Sequence, residues 1–431
     1  MAFFDLAAKG TTIKKEFIGA MTTFLTASYI IFVNPSVLSN TGMNFDALIT
    51  ATCVIIIVGC VLVGLIANVP FLIGPGMGLN AFFTYSLVIT NHVPWETALG
   101  IVFISGIIFL ILTFFKVREI VIYSLPDAFK ASIPAGVGLF LCFIGFKSMG
   151  LITYNEATIV TMGKFTPGLI IGLIGLLVII FFMIRGVKGS ILYGILIATI
   201  LGIVFKQSSL PHHIVAMPPS VSPIFMHLDI IAALHWGFIG AIFSFVFVNL
   251  FDSASTAMAC SIEGKLYNKE GQIQNIEKIL FVDALSTTFA SFMGSSSSTT
   301  FVESATGIAE GAKTGLAALF MGLFFLIALF FSPIIAIVPA FATAPALIIV
   351  GIIMFKNVNK VNLGGLEEGV PAFFTAILMP LTYSITTGIS FGFILYVVIK
   401  IFMGKTKEVN VVMWILAIIS IANLGFMMFS K

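Results

Sequence analysis

The chain has 431 residues, of which 59% are hydrophobic and only 9% are charged. A soluble domain carries about 25% charged residues, so this composition excludes an ordinary soluble protein. The net charge of +3 is small and spread over loops, which excludes a basic face for nucleic acid. The lipid bilayer is therefore the expected surrounding of most of the chain.

Apolar runs of membrane-spanning length recur along the whole chain, seven before a more polar connection at 206–228 and seven after it. The first seven predicted spans are roughly 17–38, 46–67, 70–89, 96–115, 131–151, 167–184 and 189–205. The next seven are roughly 230–258, 278–294, 299–311, 314–331, 334–355, 370–386 and 388–403. A last apolar run, about 410–429, is left over. The sequence does not decide whether this run spans the membrane or lies in its interface.

Two sets of seven spans predict an inverted repeat, because an odd number makes the second set enter the membrane from the opposite side. The segments LTFF at 112–115 and ALFF at 328–331 support this inverted repeat, because a Pro-Ala pair and then a Phe-Lys pair follow each of them in the same order. With the N-terminus in the cytoplasm, Lys147, Lys164 and Lys206 fall outside and Lys431 depends on the last run. The other 17 of the 21 Lys and Arg residues fall inside, as the positive-inside rule requires.

The third and tenth predicted spans are interrupted at matching places. Residues 74–80 read GPGMGLN, and residues 294–303 read GSSSSTTFVE. Glycine, proline and clustered hydroxyls weaken a continuous helix, and bare backbone at membrane depth persists only beside protein or a water-filled cavity. A matched pair of interrupted spans in two halves predicts the binding site of a transporter.

Two acidic residues, Asp252 and Glu303, fall inside predicted spans eight and ten. An acid in the middle of a bilayer costs about 2.5–3.5 kcal/mol, so its presence favours a function. Such a group can bind a cation, share a coupling proton or accept hydrogen bonds from a polar ligand. The structural alternative is a buried acid tied to helix caps or to neighbouring serines. Two acids in the same half favour the functional interpretation.

Asn80 follows the first interruption, where a half-helix is expected to start and to point its N–H groups at the protein centre. With Glu303 it would form a polar clamp that suits a flat heterocycle. Phe83 and Phe301 are candidates for stacking on that ring. Their alternative role is ordinary packing, because the chain has 45 phenylalanines and most must face lipid or other helices.

Enzyme chemistry is not expected, because no metal-ligand spacing and no activated nucleophile is visible. The sequence predicts no catalytic residue, no metal and no cofactor apart from a coupling ion. The four cysteines lie in or beside apolar runs and are expected to be small core residues. An anion transporter of the sulfate type and a channel remain as alternatives. Glu303 argues against the first, because a carboxylate repels anions.

Several motifs resemble the AzgA-like purine permeases of the nucleobase–cation symporter 2 group. They are TTFLT at 22–26, YIIFVNP at 29–35, GPGMGLNAFFTY at 74–85, FD at 251–252, FVESA at 301–305 and APAL at 344–347. The resemblance covers nearly the whole chain in order. It implies an all-α polytopic fold with fourteen transmembrane helices, in two inverted seven-helix repeats of the uracil-permease type. Short extended stretches in spans three and ten would frame the substrate.

The resemblance also implies two domains and a function. A core domain would comprise 17–115 and 230–331, a gate domain would comprise 131–205 and 334–403, and 410–429 would be an extra segment. The expected function is import of adenine, guanine or hypoxanthine with protons across the plasma (cytoplasmic) membrane. Sodium coupling, the preferred purine and the oligomeric state, a homodimer included, stay open.

By position, Glu303 resembles the family's tenth-span acid that grips the purine, Asp252 its eighth-span acid and Asn80 its third-span polar residue. In this scheme Asp252 and Glu303 also serve proton coupling. The sequence departs from the family pattern at Asn249, in SAST at 253–256 and in the four serines at 295–298. These departures touch the edge of the site, so they bear on the choice among purines.

Overall fold

The structure is a computed structural model that describes residues 2–115, 124–208, 210, 213–264, 266, 275–361 and 364–429. Five of the cations used above to predict the topology lie outside the described residues. They are Lys116, Arg118, Lys265, Lys269 and Lys431.

Helices dominate both halves of the chain. The first half contains α1 (Ile13–Ala27), α2 (Ile30–Leu38), α3 (Phe45–Leu62), β1 (Ile73–Pro75), α4 (Met77–Ala81), α5 (Trp95–Phe114), α6 (Asp127–Met149), β2 (Ile152–Asn155), β3 (Ile159–Met162), α7 (Pro167–Ile184) and α8 (Ser190–Val204). Wider π-helical turns continue α3 over Val63–Ala67 and α4 over Phe82–Thr90.

The second half is built in the same way. It contains α9 (Ile230–Ala233), α10 (Ile239–Gly264), α11 (Ile276–Phe292), β4 (Ser298–Thr300), α12 (Ser304–Ala309), α13 (Gly315–Leu329), α14 (Ser332–Ala336), α15 (Ala340–Phe355), α16 (Leu366–Thr382), α17 (Ile385–Phe402) and α18 (Val411–Phe429). A short 3-10 helix, Lys356–Lys360, follows α15.

Helix starts follow capping chemistry that is readable in the sequence. The Asn44 side chain accepts a hydrogen bond from the Ala47 amide at 2.9 Å, which caps α3. Thr166 caps α7 in the same way through Leu169, and Pro167 occupies the first turn of that helix. These positions satisfy amide groups that the helix itself leaves without partners.

Among the described residues, eight helices are long and apolar enough to cross a membrane, and four shorter helices are apolar. The prediction of a helical, multi-pass membrane protein is confirmed. The exact number of fourteen spans and the inverted repeat stay predictions. Predicted spans nine and thirteen correspond to α11 and α16, which have 17 residues each, and span ten contains only the short α12 after its strand.

A β-hairpin between α6 and α7 was not predicted from the sequence. Strands β2 and β3 pair antiparallel, from Ile152 opposite Met162 to Asn155 opposite Ile159. The Asn155 side chain accepts hydrogen bonds from the amides of Ala157 and Thr158 at 2.9 and 3.1 Å, which stabilises the turn. Most of the hairpin is exposed, and it forms a small surface structure outside the helices.

The two interrupted segments meet in the interior as a two-stranded antiparallel sheet. Ile73 lies opposite Thr300, Gly74 opposite Thr299 and Pro75 opposite Ser298. All residues of both strands are buried. The strand pairing supplies backbone hydrogen bonds that the broken helices lack, which is how irregular backbone persists inside a membrane protein.

Helix α18 runs antiparallel beside α17. A cluster of charges holds the turn between them, where Lys400 Nζ lies 2.7 Å from Glu408 and 3.2 Å from Glu367. Farther along, the Asn423 amide donates to the Ser390 hydroxyl at 3.4 Å. Ser390 and Asn423 each lie about 18 Å from the turn at 1.5 Å per residue, so the two helices stay together over most of a membrane's apolar thickness.

Candidate functional site

Strand β4 presents its side chains alternately to two sides of the molecule, as strand geometry requires. Thr300 Oγ1 lies 3.1 and 3.2 Å from the two carboxylate oxygens of Asp283 on α11. The backbone of Ser298 is hydrogen-bonded to Thr287 Oγ1 on the same helix. Thr299 points the other way, and its side chain lies beside Asp252 on α10. The strand therefore rests on α11 and offers Thr299 to the opposite side.

Glu303 lies three residues after the end of this strand and immediately before α12. The Tyr29 hydroxyl donates a hydrogen bond to Glu303 Oε1 at 2.8 Å. Tyr29 sits at the break between α1 and α2 and is only 2% exposed. The break in the first span and the break in the tenth are thus joined through one side-chain contact.

A cavity of about 210 Å³ opens beside these groups. Asp252, Phe301 and Glu303 line it together with Tyr29 and Thr299. The opposite wall comes from α6, α15 and the 3-10 helix after α15, through Pro134, Val350, Ile353, Met354, Asn357 and Lys360. The volume is below the about 300–1,000 Å³ of pockets for drug-sized ligands, so it suits a small molecule.

The structure brings Asp252, Glu303 and Phe301 together, but it places Asn80 and Phe83 elsewhere. Neither Asn80 nor Phe83 is among the cavity's lining residues. Phe83 is fully buried in the hydrophobic core. In this structure these two side chains act in packing and in hydrogen bonding within the protein.

Asn80 belongs to a buried chain of polar side chains. Its amide donates to the Asn34 carbonyl oxygen, and its own carbonyl oxygen accepts from the Ser296 hydroxyl. Asn34 in turn donates to Thr52 at 2.7 Å. This network ties the first three predicted spans to the second interruption. Asn80 thereby holds the start of α4 in place next to the cavity without lining it.

Two glycines of the interruptions are required by geometry. A Cβ on Gly78 would lie 2.4 Å from Val137 Cγ1, so glycine lets α4 approach α6 closely. Gly294 has a φ of +81°, a left-handed conformation that ends α11 and turns the chain into the strand segment. The glycines that mark the two interruptions in the sequence thus have different roles.

From the sequence alone, Tyr29 was missed as a residue of the cavity, and Asp283 and Glu16 were missed as buried acids. Tyr29 was treated only as one hydroxyl of the first span, although it begins the YIIFVNP motif. Asp283 and Glu16 are completely buried carboxylates that the count of two buried acids overlooked. Glu16 accepts hydrogen bonds from the amides of Lys313 and Thr314 at 2.9 and 3.3 Å, so it caps the start of α13. Among the described residues, no group of His, Cys, Asp or Glu could hold a metal ion.

The geometry of the cavity defines the class of protein. Interrupted helices of a multi-pass membrane protein meet at a small cavity that contains ionisable groups, and this is the architecture of membrane transporters.

Comparison with known proteins identifies the family. The profile of the Permease family (Xan_ur_permease) matches residues 14–391, and the chain belongs to this family. The adenine permease AdeP of Escherichia coli is 38% identical over 98% of this chain and 95% of its own length. The guanine/hypoxanthine permease PbuG of Bacillus subtilis is 39% identical over 99% of both chains. The predicted resemblance to purine permeases is confirmed, and the chain is a transporter and not an enzyme.

A solved structure shares the fold at low sequence identity. The transmembrane domain of the cyanobacterial bicarbonate transporter BicA superposes with a TM-score of 0.63, covers 86% of this chain and 96% of that domain, and is 12% identical. At this identity the likeness concerns the fold alone.

Proposed function

We propose that the protein imports purine nucleobases together with protons across the cytoplasmic membrane by alternating access. The observation that carries the proposal is one cavity that two acids line together: Glu303, which accepts a hydrogen bond from Tyr29, and Asp252, which lies beside Thr299. The names of the two relatives, an adenine permease and a guanine/hypoxanthine permease, support the substrate class.

The site offers a purine the groups that its ring edge requires. A carboxylate has two oxygens and about four lone-pair positions, so Glu303 can hold the Tyr29 hydroxyl and a ring N–H at the same time. Asp252 is the second acceptor and the group that shares the coupling proton. Phe301 lines the same cavity and covers one face of the ring, because aromatic rings stack on flat heterocycles.

The position of the cavity supports the proposal of alternating access. One wall consists of residues predicted as core domain and the other of residues predicted as gate domain, so a relative movement of the two changes the side to which the cavity opens. Asn357 and Lys360 line the cavity on the side predicted as cytoplasmic. The proposed cycle assigns an arrangement of this kind to its inward-open stage.

An anion substrate is disfavoured by the same geometry. The lining contains two carboxylates against the single cation Lys360, so its excess of negative charge repels sulfate or bicarbonate, and in a medium of low dielectric constant that repulsion is strong. The fold is shared with a bicarbonate transporter, but at 12% identity this likeness gives no information about the substrate.

Uptake by the purified protein in proteoliposomes tests the proposal. Radiolabelled hypoxanthine is expected to accumulate when the outside is acidic, and adenine, guanine and hypoxanthine are expected to compete better than uracil or sulfate. Glu303→Gln is expected to lose most of this uptake, whereas Glu156→Gln in the exposed hairpin keeps it. Equal uptake by Glu303→Gln and the parent, with and without the pH gradient, would falsify the assignment.

A further inference from the structure

A second cavity, of about 380 Å³, lies along the same boundary between predicted core and predicted gate. Two predicted gate helices, α6 and α15, contribute lining residues to both cavities. The second cavity is lined by Ser36, Val37, Ser39, Asn40, Phe45, Tyr85, Ser148, Ala336, Val338, Ala340, Thr343 and Leu347. Predicted spans one, two and three of the core and spans five and twelve of the gate each have one end at this cavity. By the predicted topology this cavity is on the outer side, and the Glu303 cavity is on the cytoplasmic side.

The chemistry of the second cavity differs from that of the first. Half of its lining residues carry neutral hydroxyl or amide groups, and none is Asp, Glu, Lys or Arg. Hydroxyls and amides can both donate and accept hydrogen bonds, whereas an ion would find no opposite charge to offset its desolvation. Phe45 and Tyr85 add two aromatic rings. This lining suits a neutral, flat molecule with several donors and acceptors.

Hydrogen bonds between the predicted domains border this cavity. Ser36 Oγ on α2 lies 3.2 Å from Thr343 Oγ1 on α15. The Tyr85 side chain lies beside Ser148 on α6 across the same boundary, and the Ser86 hydroxyl donates to the carbonyl of Tyr383. A ligand that exchanges hydrogen bonds with Ser36, Thr343, Tyr85 or Ser148 would replace contacts that hold the outer side closed.

We propose that the second cavity is a separate binding site for an uncharged heterocyclic base on the outer face. Ser36, Ser39, Asn40, Tyr85, Ser148 and Thr343 supply its hydrogen-bonding groups. The choice of a purine as ligand rests on the proposed function, whereas the existence of a neutral outer site does not. Binding there precedes opening of the boundary, so it does not require the acids of the first cavity.

Protection from thiol labelling tests this site. Ser39→Cys places a thiol in the cavity wall, and intact cells are treated with a membrane-impermeant maleimide. Among the natural cysteines, Cys53, Cys60 and Cys260 are buried and Cys142 is half-buried, so the parent chain reports the background. Hypoxanthine is expected to slow labelling of Ser39→Cys, whereas sulfate leaves it unchanged. Glu156→Cys in the exposed hairpin is the control, labelled at the same rate with and without hypoxanthine.

The decisive arm combines Ser39→Cys with Glu303→Gln. Protection that persists in this double variant supports an outer site independent of the first cavity. The inference is overturned if the double variant loses this protection. It is also overturned if hypoxanthine does not slow the labelling of Ser39→Cys, or if Ser39→Cys is not labelled at all. Ser36→Ala in the same double variant is expected to raise the half-protecting concentration about three- to tenfold, the effect of one hydrogen bond, and an unchanged concentration contradicts the assignment of Ser36. Absence of uptake in the parent would count against the proposed function alone.

Discussion

At the scale of single residues, the contact between Tyr29 and Glu303 is the most specific feature of the first cavity. The hydroxyl orients the carboxylate from a buried position, and a hydrogen bond to an acid of this kind contributes about 1.5–3 kcal/mol when the acid is ionised. Tyr29 is therefore a positioning residue for Glu303.

Tyr29→Phe removes this hydroxyl and keeps the ring. We expect the KM for purine uptake to rise at least about tenfold, which corresponds to about 1.4 kcal/mol. The measurement is initial uptake against substrate concentration in proteoliposomes. Tyr154→Phe, on a side chain that is 78% exposed, is the matched control. A KM equal to that of the control would show that Tyr29 does not position Glu303 for the proposed binding of the purine.

Both Thr299 and Thr300 line the first cavity, but their hydroxyls have different partners, so we expect different effects when each is removed. Thr299→Val removes the hydroxyl that meets Asp252 in the cavity, so we expect impaired transport with little change in thermal unfolding. Thr300→Val deprives the buried Asp283 of a hydrogen bond, and we expect a loss of about 1–3 kcal/mol in the free energy of unfolding. Unfolding in detergent and uptake in vesicles measure the two effects. The reverse pattern would contradict the side assigned to each threonine.

The sequence allowed Asp252 and Glu303 to be singled out because an acid inside an apolar span is costly wherever it points. It could not predict the position of Asn80 relative to the cavity. A position at the start of a half-helix brings Asn80 near the protein centre. The direction of its side chain depends on hydrogen-bond partners such as Asn34 and Ser296, which are distant in the chain. Asp283 was missed because its apolar helix begins with ordinary charged residues, and nothing local marks the later acid as buried.

At the scale of elements, predicted and observed boundaries differ where charges belong to a helix. The fifth span was predicted from residue 131, but α6 begins at Asp127, because an acid in the first turn favours a helix start although it ends an apolar run. In the third span the helix begins only at Met77. The register between β1 and β4 could not be predicted, since it joins segments from different halves of the chain.

The C-terminal helix α18 gives a prediction at this scale. Because it pairs antiparallel with α17 through Asn423 and Ser390, we expect it to cross the membrane and to place the C-terminus outside. Alkaline phosphatase fused after residue 431 should be active, whereas the same enzyme fused after Met403 should be inactive. A fluorescent protein fused at the two positions is expected to give the opposite pattern. An inactive full-length phosphatase fusion would place α18 in the cytoplasmic interface.

At the scale of the whole molecule, the proposed cycle requires the two predicted domains to part on the outer side. The hydroxyl oxygens of Ser36 and Thr343 are 3.2 Å apart across that boundary. Their replacement by two cysteines creates a pair within reach of a disulfide. We expect oxidation to abolish uptake and reduction to restore it.

The single variants Ser36→Cys and Thr343→Cys are the controls for this cross-link. Each is expected to transport after oxidation, because no partner thiol lies opposite. Full uptake by the oxidised double variant, with the cross-link verified by mass spectrometry, would show that the boundary does not open at this point.

The strand pair has a consequence for how the chain is made. Ile73 and Thr300 are neighbours in the finished protein, yet the ribosome produces one of them long before the other. Until the later segment arrives, the backbone groups at 73–75 lack their partners, and each unmatched group in hydrocarbon costs several kcal/mol. The early half of the nascent chain therefore needs water, or another protein of the insertion machinery, beside it while translation continues.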